Sequence, residues 1–122
     1  MLIDDIRQGE SAELELKRVP NEQPERWLKT VVAFANCKGG RIIFGITNAH
    51  EVVGLKGDLY ALRDALADCI AESCQPMPDV AIGIVNVEGR DVLELSVLQG
   101  RQCPYYLRAQ GDAEGVYVCY DA

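Results

Sequence analysis

Three carboxylates and a lysine lie close together near the start of the chain, in Glu10-Ser11-Ala12-Glu13-Leu14-Glu15-Leu16-Lys17. Oxygen donors at such spacing can hold a divalent cation, and a neighbouring lysine can meet a phosphate. The same pattern also suits a solvated, charged strand edge with a local ion pair. A second candidate is Cys37-Lys38-Gly39-Gly40-Arg41, which joins two cations to a glycine turn whose backbone N–H groups can face an anion. It lacks the Gly-x-x-x-x-Gly-Lys order of a Walker loop, and it reads equally as a tight helix-to-strand connection. Lys17, Lys38, Gly39, Gly40 and Arg41 are thus the candidate contacts to a nucleic-acid backbone. The five cysteines are odd in number and contain no Cys-x-x-Cys pair, which argues against a disulfide framework and a structural zinc site. They read instead as small apolar fillers of a reduced interior. The single histidine, His50, falls in a turn and offers no Cys-His nucleophile system.

The elements that must position these residues follow from periodicity. Residues 1–8 suggest a short helix with Leu2, Ile3 and Ile6 on one face, ended by Gly9. Residues 12–17 alternate as a half-buried strand, so Glu13, Glu15 and Lys17 project away from Leu14 and Leu16. Trp27, Val31, Phe34 and Ala35 mark one face of a helix over 22–37, with Pro24 in its first turn. Gly39-Gly40 supplies the turn into an apolar strand over 41–46. Residues 47–51 read as a hairpin turn and 52–54 as a short return strand. Asp58 is an N-cap for a second helix that ends near Cys74, before Pro76 and Pro78. Strands over 79–87 and 91–98 flank Glu88-Gly89-Arg90. Short strands over 103–107 and 115–119 follow, with one of Tyr105 and Tyr106 turned outwards. The expected fold is α+β: a mixed sheet of about six or seven strands packed with two main helices and a short N-terminal helix.

A length of 122 residues fits one domain, and the chain's end just after a strand suggests the N-terminal part of a longer protein. No apolar run approaches the roughly 20 residues of a membrane span. The acid pair Asp4-Asp5 stands where an export signal would be positive, so a cytoplasmic protein is expected. A net charge of −7 opposes tight, non-specific phosphate binding, yet the cations could still cluster on one face.

Several of these stretches resemble one family. Glu10-Ser11 with Glu15-Leu16-Lys17 is similar to the "E-S-x-x-x-E-F-K" opening of the Schlafen AlbA-like (AlbA_2) domains. Ala33-Phe34-Ala35-Asn36-Cys37-Lys38-Gly39-Gly40 resembles their "A-F-A-N-T-x-G-G". Ile42-Ile43-Phe44-Gly45-Ile46, Val52-Val53-Gly54, Pro104-Tyr105 and Gly115-Val116-Tyr117-Val118 resemble further strands of the same family. The resemblance implies a DNA-binding domain of a transcriptional regulator. It also implies, from the animal members, a metal-dependent RNA nuclease whose acids would here be Glu10 and Glu15, with Mg or Mn as the cofactor. The third acid of that set follows the strand ending in glycine, and Asn48 stands there instead. With the metal set reduced to Glu10, Glu15 and Asn48, the resemblance favours a non-enzymatic binding domain that needs no cofactor. The family's final arginine is replaced by Cys119. Three readings result: a nucleic-acid-binding homodimer on DNA or RNA, a nuclease, or a non-catalytic interaction or dimerisation domain.

Overall fold

The computed structural model describes residues 6, 9, 14–18, 24–47, 49–101, 104–110 and 115–117. Within them the chain runs β1 (Leu14–Lys17), α1 (Pro24–Asn36), β2 (Gly40–Phe44), α2 (Leu59–Ser73), β3 (Cys74–Gln75), β4 (Val80–Val87), β5 (Arg90–Val97) and β6 (Tyr106–Leu107). A 3-10 turn over Arg108–Gln110 follows. No helix among the described residues is long and apolar enough to cross a membrane.

α1 begins at Pro24, whose missing N–H costs nothing there, and buries Trp27, Leu28, Val31, Val32, Phe34 and Ala35. α2 starts where the Asp58 carboxylate accepts from the N–H groups of Tyr60 and Ala61, both at 3.1 Å. That satisfies two of the four amides a helix start leaves unpaired.

The strands divide between two sheets. Four form a mixed sheet in the order β1-β2-β5-β4, with β1 and β2 parallel and the other pairs antiparallel. β3 and β6 form a separate antiparallel pair. The single sheet of six or seven strands is therefore corrected to four strands plus two. The return strand over 52–54 is reduced to the bridge between Val52 and Ile46; of the strand expected over 115–119, residues 115–117 are described and hold a bridge between Val116 and Tyr106, and the rest lies outside the described residues. Local pattern marks a segment as extended but does not say which neighbour completes its ladder. Of the helix expected over 1–8, only Ile6 is described, and the rest lies outside the described residues.

Alternation gives the main sheet two unlike faces. Ile42, Phe44, Leu93, Leu95 and Val97 meet α1 and α2 in the larger core, where Trp27 stands edge-on to Phe44 at 5.7 Å between ring centres. Leu14, Leu16, Ile43, Val87 and Val92 build a smaller cluster on the other face with Ile6 and Ile46. Trp27, Phe34 and Tyr105 are all buried, so Tyr105 is the inward member of its pair and Tyr106 the half-exposed one.

Candidate functional site

Register places each candidate. Glu15 lies beside Ile42 and Lys17 beside Phe44, so both sit on the helix-bearing face of β1, at one edge of the sheet. The two side chains are half-buried, with Lys17 Nζ 3.9 Å from Glu15 Oε1. Glu15 Oε2 is shielded from solvent. Arg41 stands on the opposite face, beside Leu14 and Ser96. It reaches diagonally to Glu94, with Nη1 to Oε2 at 3.3 Å. Lys17 is paired with the last residue of β2 and Gly40 is the first, a separation of roughly 13 Å along the strand. Lys17, Lys38 and Arg41 thus occupy two ends and two faces, and they do not form one patch.

The glycine turn has a structural use for each glycine. Cys37 and Gly39 both donate their backbone N–H to the Phe34 carbonyl, at 3.1 and 2.9 Å. Those amides are committed to closing α1. Gly39 has φ +83°, and a Cβ there would lie 2.5 Å from the Val97 carbonyl oxygen. A Cβ on Gly40 would meet the Phe34 ring at 2.8 Å. The turn is built for close packing, and only the exposed Lys38 side chain points its charge into solvent. An anion held there would be held by side chains.

Contact with the β5 end adds a cation that spacing did not reveal. Gly100 donates its N–H to the Ala35 carbonyl at 2.8 Å, and Gly39 abuts the Leu98-Gln99 backbone. This seats the 98–101 segment against the end of α1, with Arg101 and Lys38 flanking the same corner. Both are exposed, and neither forms an ion pair among the described residues. Leu98 is 60% exposed beside them. Four other cations are engaged: Lys29 lies over the Tyr117 ring at 5.5 Å, Arg63 over Tyr60 at 5.3 Å, Arg90 on the Val53 carbonyl and Arg108 on Gln75, while Arg18, Arg26 and Lys56 are exposed on other segments. The only sequence signal for Arg101 was its charge. Its neighbour is some sixty residues away, and periodicity carries no information about that.

Asn36 is the other residue that pattern alone passed over. Its Nδ2 donates to the Tyr105 carbonyl at 2.9 Å and to the Tyr117 carbonyl at 2.8 Å. Its Oδ1 accepts from the Tyr105 N–H at 2.6 Å. One amide side chain thereby acts as a short piece of strand that ties the 105–107 and 115–117 segments to the end of α1.

Cys37 corrects the reduced-interior expectation: it is disulfide-bonded. Cys69 and Cys74 are free, so its partner lies outside the described residues. An odd count excludes complete pairing but not a single bridge between distant segments. The acid set is only partly visible. Glu10, Glu13 and Asn48 lie outside the described residues, leaving Glu15. Among the described residues no three histidine, cysteine, aspartate or glutamate side chains converge to hold a metal ion.

These features fall in one family's order. The family described as Schlafen, AlbA_2 matches residues 10–121. The chain belongs to the Schlafen AlbA_2 family. Its AlbA_2 fold resembles the solved N-terminal domain of a RecG-related protein from Nitrosomonas europaea, whose description is that of an ATP-dependent DNA helicase relative. The TM-score is 0.71 at 27% identity, covering 99% of this chain and 87% of that one. The DIP2311 protein of Corynebacterium diphtheriae shares the fold, with a TM-score of 0.54 at 19% identity over 88% of this chain and 23% of that one. No curated protein matches this AlbA_2 chain in sequence. Within the family's "A-F-A-N" stretch, Phe34 and Ala35 are core, Asn36 is the clamp, and the glycines that follow admit β5 and the Phe34 ring.

Proposed function

We propose that this AlbA_2 domain binds nucleic acid, with DNA as the preferred partner, as a module of a transcriptional regulator. The family and the likeness to a domain of a helicase-related protein support the nucleic-acid reading. The observation that carries it to a surface is the corner where Lys38 and Arg101 stand exposed on two adjoining segments, with the exposed Leu98 on one of them available for an apolar contact to sugar or base. Lys17 and Arg41, each beside a carboxylate, contribute less there. Two exposed cations at one corner, against a net charge of −7, make a weak binder whose affinity falls with salt.

The test is a fluorescence anisotropy titration of single-stranded DNA, duplex DNA and RNA from about 20 to 200 mM salt. Binding should weaken with salt, with a log–log slope of about −2 on duplex. Lys38→Ala with Arg101→Ala should lower the log–log salt slope by about one per residue on duplex. Lys56→Ala, an exposed cation on another loop, should leave it unchanged. Absence of binding at 20 mM salt, or a double variant that binds like wild type, overturns the reading. Incubation of structured RNA with Mn²⁺ checks the nuclease reading, since cleavage lost in Glu15→Ala would replace the binding proposal with an enzyme.

A further inference from the structure

β4 is an edge strand with an unusual composition. Among the described residues it pairs only with β5, and Val80–Val87 (VAIGIVNV) carries no charge along eight residues. The opposite edge, β1, spans four residues and bears Glu15 and Lys17. Short length and charge are the ordinary protections of a sheet edge, and β4 has neither, nor a proline or bulge. The phase of its ladder is fixed by the Leu98 N–H, which donates to the Asp79 carbonyl at 2.9 Å. Antiparallel geometry then turns the backbone groups of Ala81, Gly83, Val85 and Val87 towards β5. The N–H and C=O groups of Val80, Ile82, Ile84 and Asn86 face outwards.

We propose that β4 is a homotypic interface, in which a second copy of this chain adds its own β4 antiparallel about a two-fold axis at Gly83. This register sets outward-facing residues opposite outward-facing residues and would close about eight main-chain hydrogen bonds. On the helix side Ile82 meets the second copy's Ile84, and Val80 meets its Asn86. On the other side Ala81 meets Val85, and Gly83 lies against Gly83. The occupant follows from charge. Two chains of net charge −7 repel over most of their surfaces, whereas this strand opposes no like charges to its own copy. Half-buried Ile82 and Ile84 already border the main core, so pairing extends that core across the axis. A contact of one strand on each side lies at the small end of specific interfaces, which places dissociation in the micromolar to millimolar range.

Sedimentation velocity from about 10 µM to 1 mM, with amide exchange read by NMR at both ends, tests the proposal. Dimer should form with concentration. Exchange at Val80, Ile82, Ile84 and Asn86 should slow with it, while the amides that face β5 stay protected throughout. Gly83→Lys sets two ammonium groups against each other at the axis, and a side chain at Gly83 meets nothing within 4 Å, so the fold is retained. It should weaken the dimer at least tenfold, whereas Gly83→Thr should keep it. A monomer at 1 mM, concentration-independent protection of the outward amides, protection appearing at another surface, or a Gly83→Lys dimer as strong as wild type each overturns it.

Discussion

Removing the Asn36 amide should unfasten the C-terminal segments from the body of the domain. Three hydrogen bonds converge on this half-buried side chain, all between 2.6 and 2.9 Å, to residues 69 and 81 positions away. A net contribution of about 0.5–1.5 kcal/mol per bond gives ~3 kcal/mol for Asn36→Ala. For a chain of this size that is a fall in Tm of roughly 10 °C. Asn36→Asp separates geometry from chemistry. It keeps an acceptor for the Tyr105 N–H but turns its second oxygen on the Tyr105 and Tyr117 carbonyls. Those dipoles disfavour the carboxylate, so the folded-state pKa of the new group rises above its unfolded value of about 3.9. The variant's deficit is therefore smallest below that value and grows as pH rises through the raised folded pKa. Urea unfolding followed by the emission of Trp27, the sole and buried tryptophan, reads both variants, with the Cys37 disulfide intact. An Asn36→Asp variant as stable as wild type at pH 7, or an Asn36→Ala loss under about 0.5 kcal/mol, would refute the clamp.

Gly39→Ala should lose more than the ~1–2 kcal/mol of a left-handed alanine, because its Cβ would also press on the Val97 carbonyl; thermal unfolding checks this against the benign Gly89→Asn, at a turn glycine with φ +82° and open space around it. Asp58→Ala should cost ~1 kcal/mol by removing the cap of α2, read from the urea midpoint. Cys74 gives a pH dependence. Burial, aided by Cys69 and opposed by Arg108, pushes its thiol up to about 12. A raised pKa means stability that is complete below about pH 9 and lost as pH climbs towards 12, worth ~3 kcal/mol by pH 11. Cys74→Ala should flatten that part of the alkaline unfolding curve. In the same experiments a thiol reagent at pH 8 should modify the half-buried Cys69 well before Cys74.

Elements set by local chemistry were legible in the sequence. The Trp27-to-Ala35 stripe, Pro24 and the glycine turn define α1 within two residues of its ends, and Asp58 marks the start of α2. The 80–97 hairpin follows from its alternation and its central glycine. What stayed hidden depends on chain segments far apart. β3 and β6 are two residues each and exist as strands only because they find one another. The Cys37 bridge, the Asn36 clamp and the seating of the 98–101 segment against the end of α1 have no periodic signature. The candidate site suffered most from this. Glu15, Lys17, Lys38 and Arg41 are near neighbours in sequence, but alternation in β1 and β2 sends them to different faces.

The strand order β1-β2-β5-β4 has a kinetic meaning. β1, α1 and β2 are consecutive, and β4 and β5 are consecutive, so each group can assemble from contacts that are short in sequence. The ladder between β2 and β5, with Ile42 opposite Leu95 and Phe44 opposite Leu93, is the seam where the two groups meet. Closing that seam spans some fifty residues and carries the larger loop entropy, so it is the step expected to limit folding. The Gly39-Gly40 turn sits at one end of this seam, where the bare backbone lets β5 slide in against a finished helix.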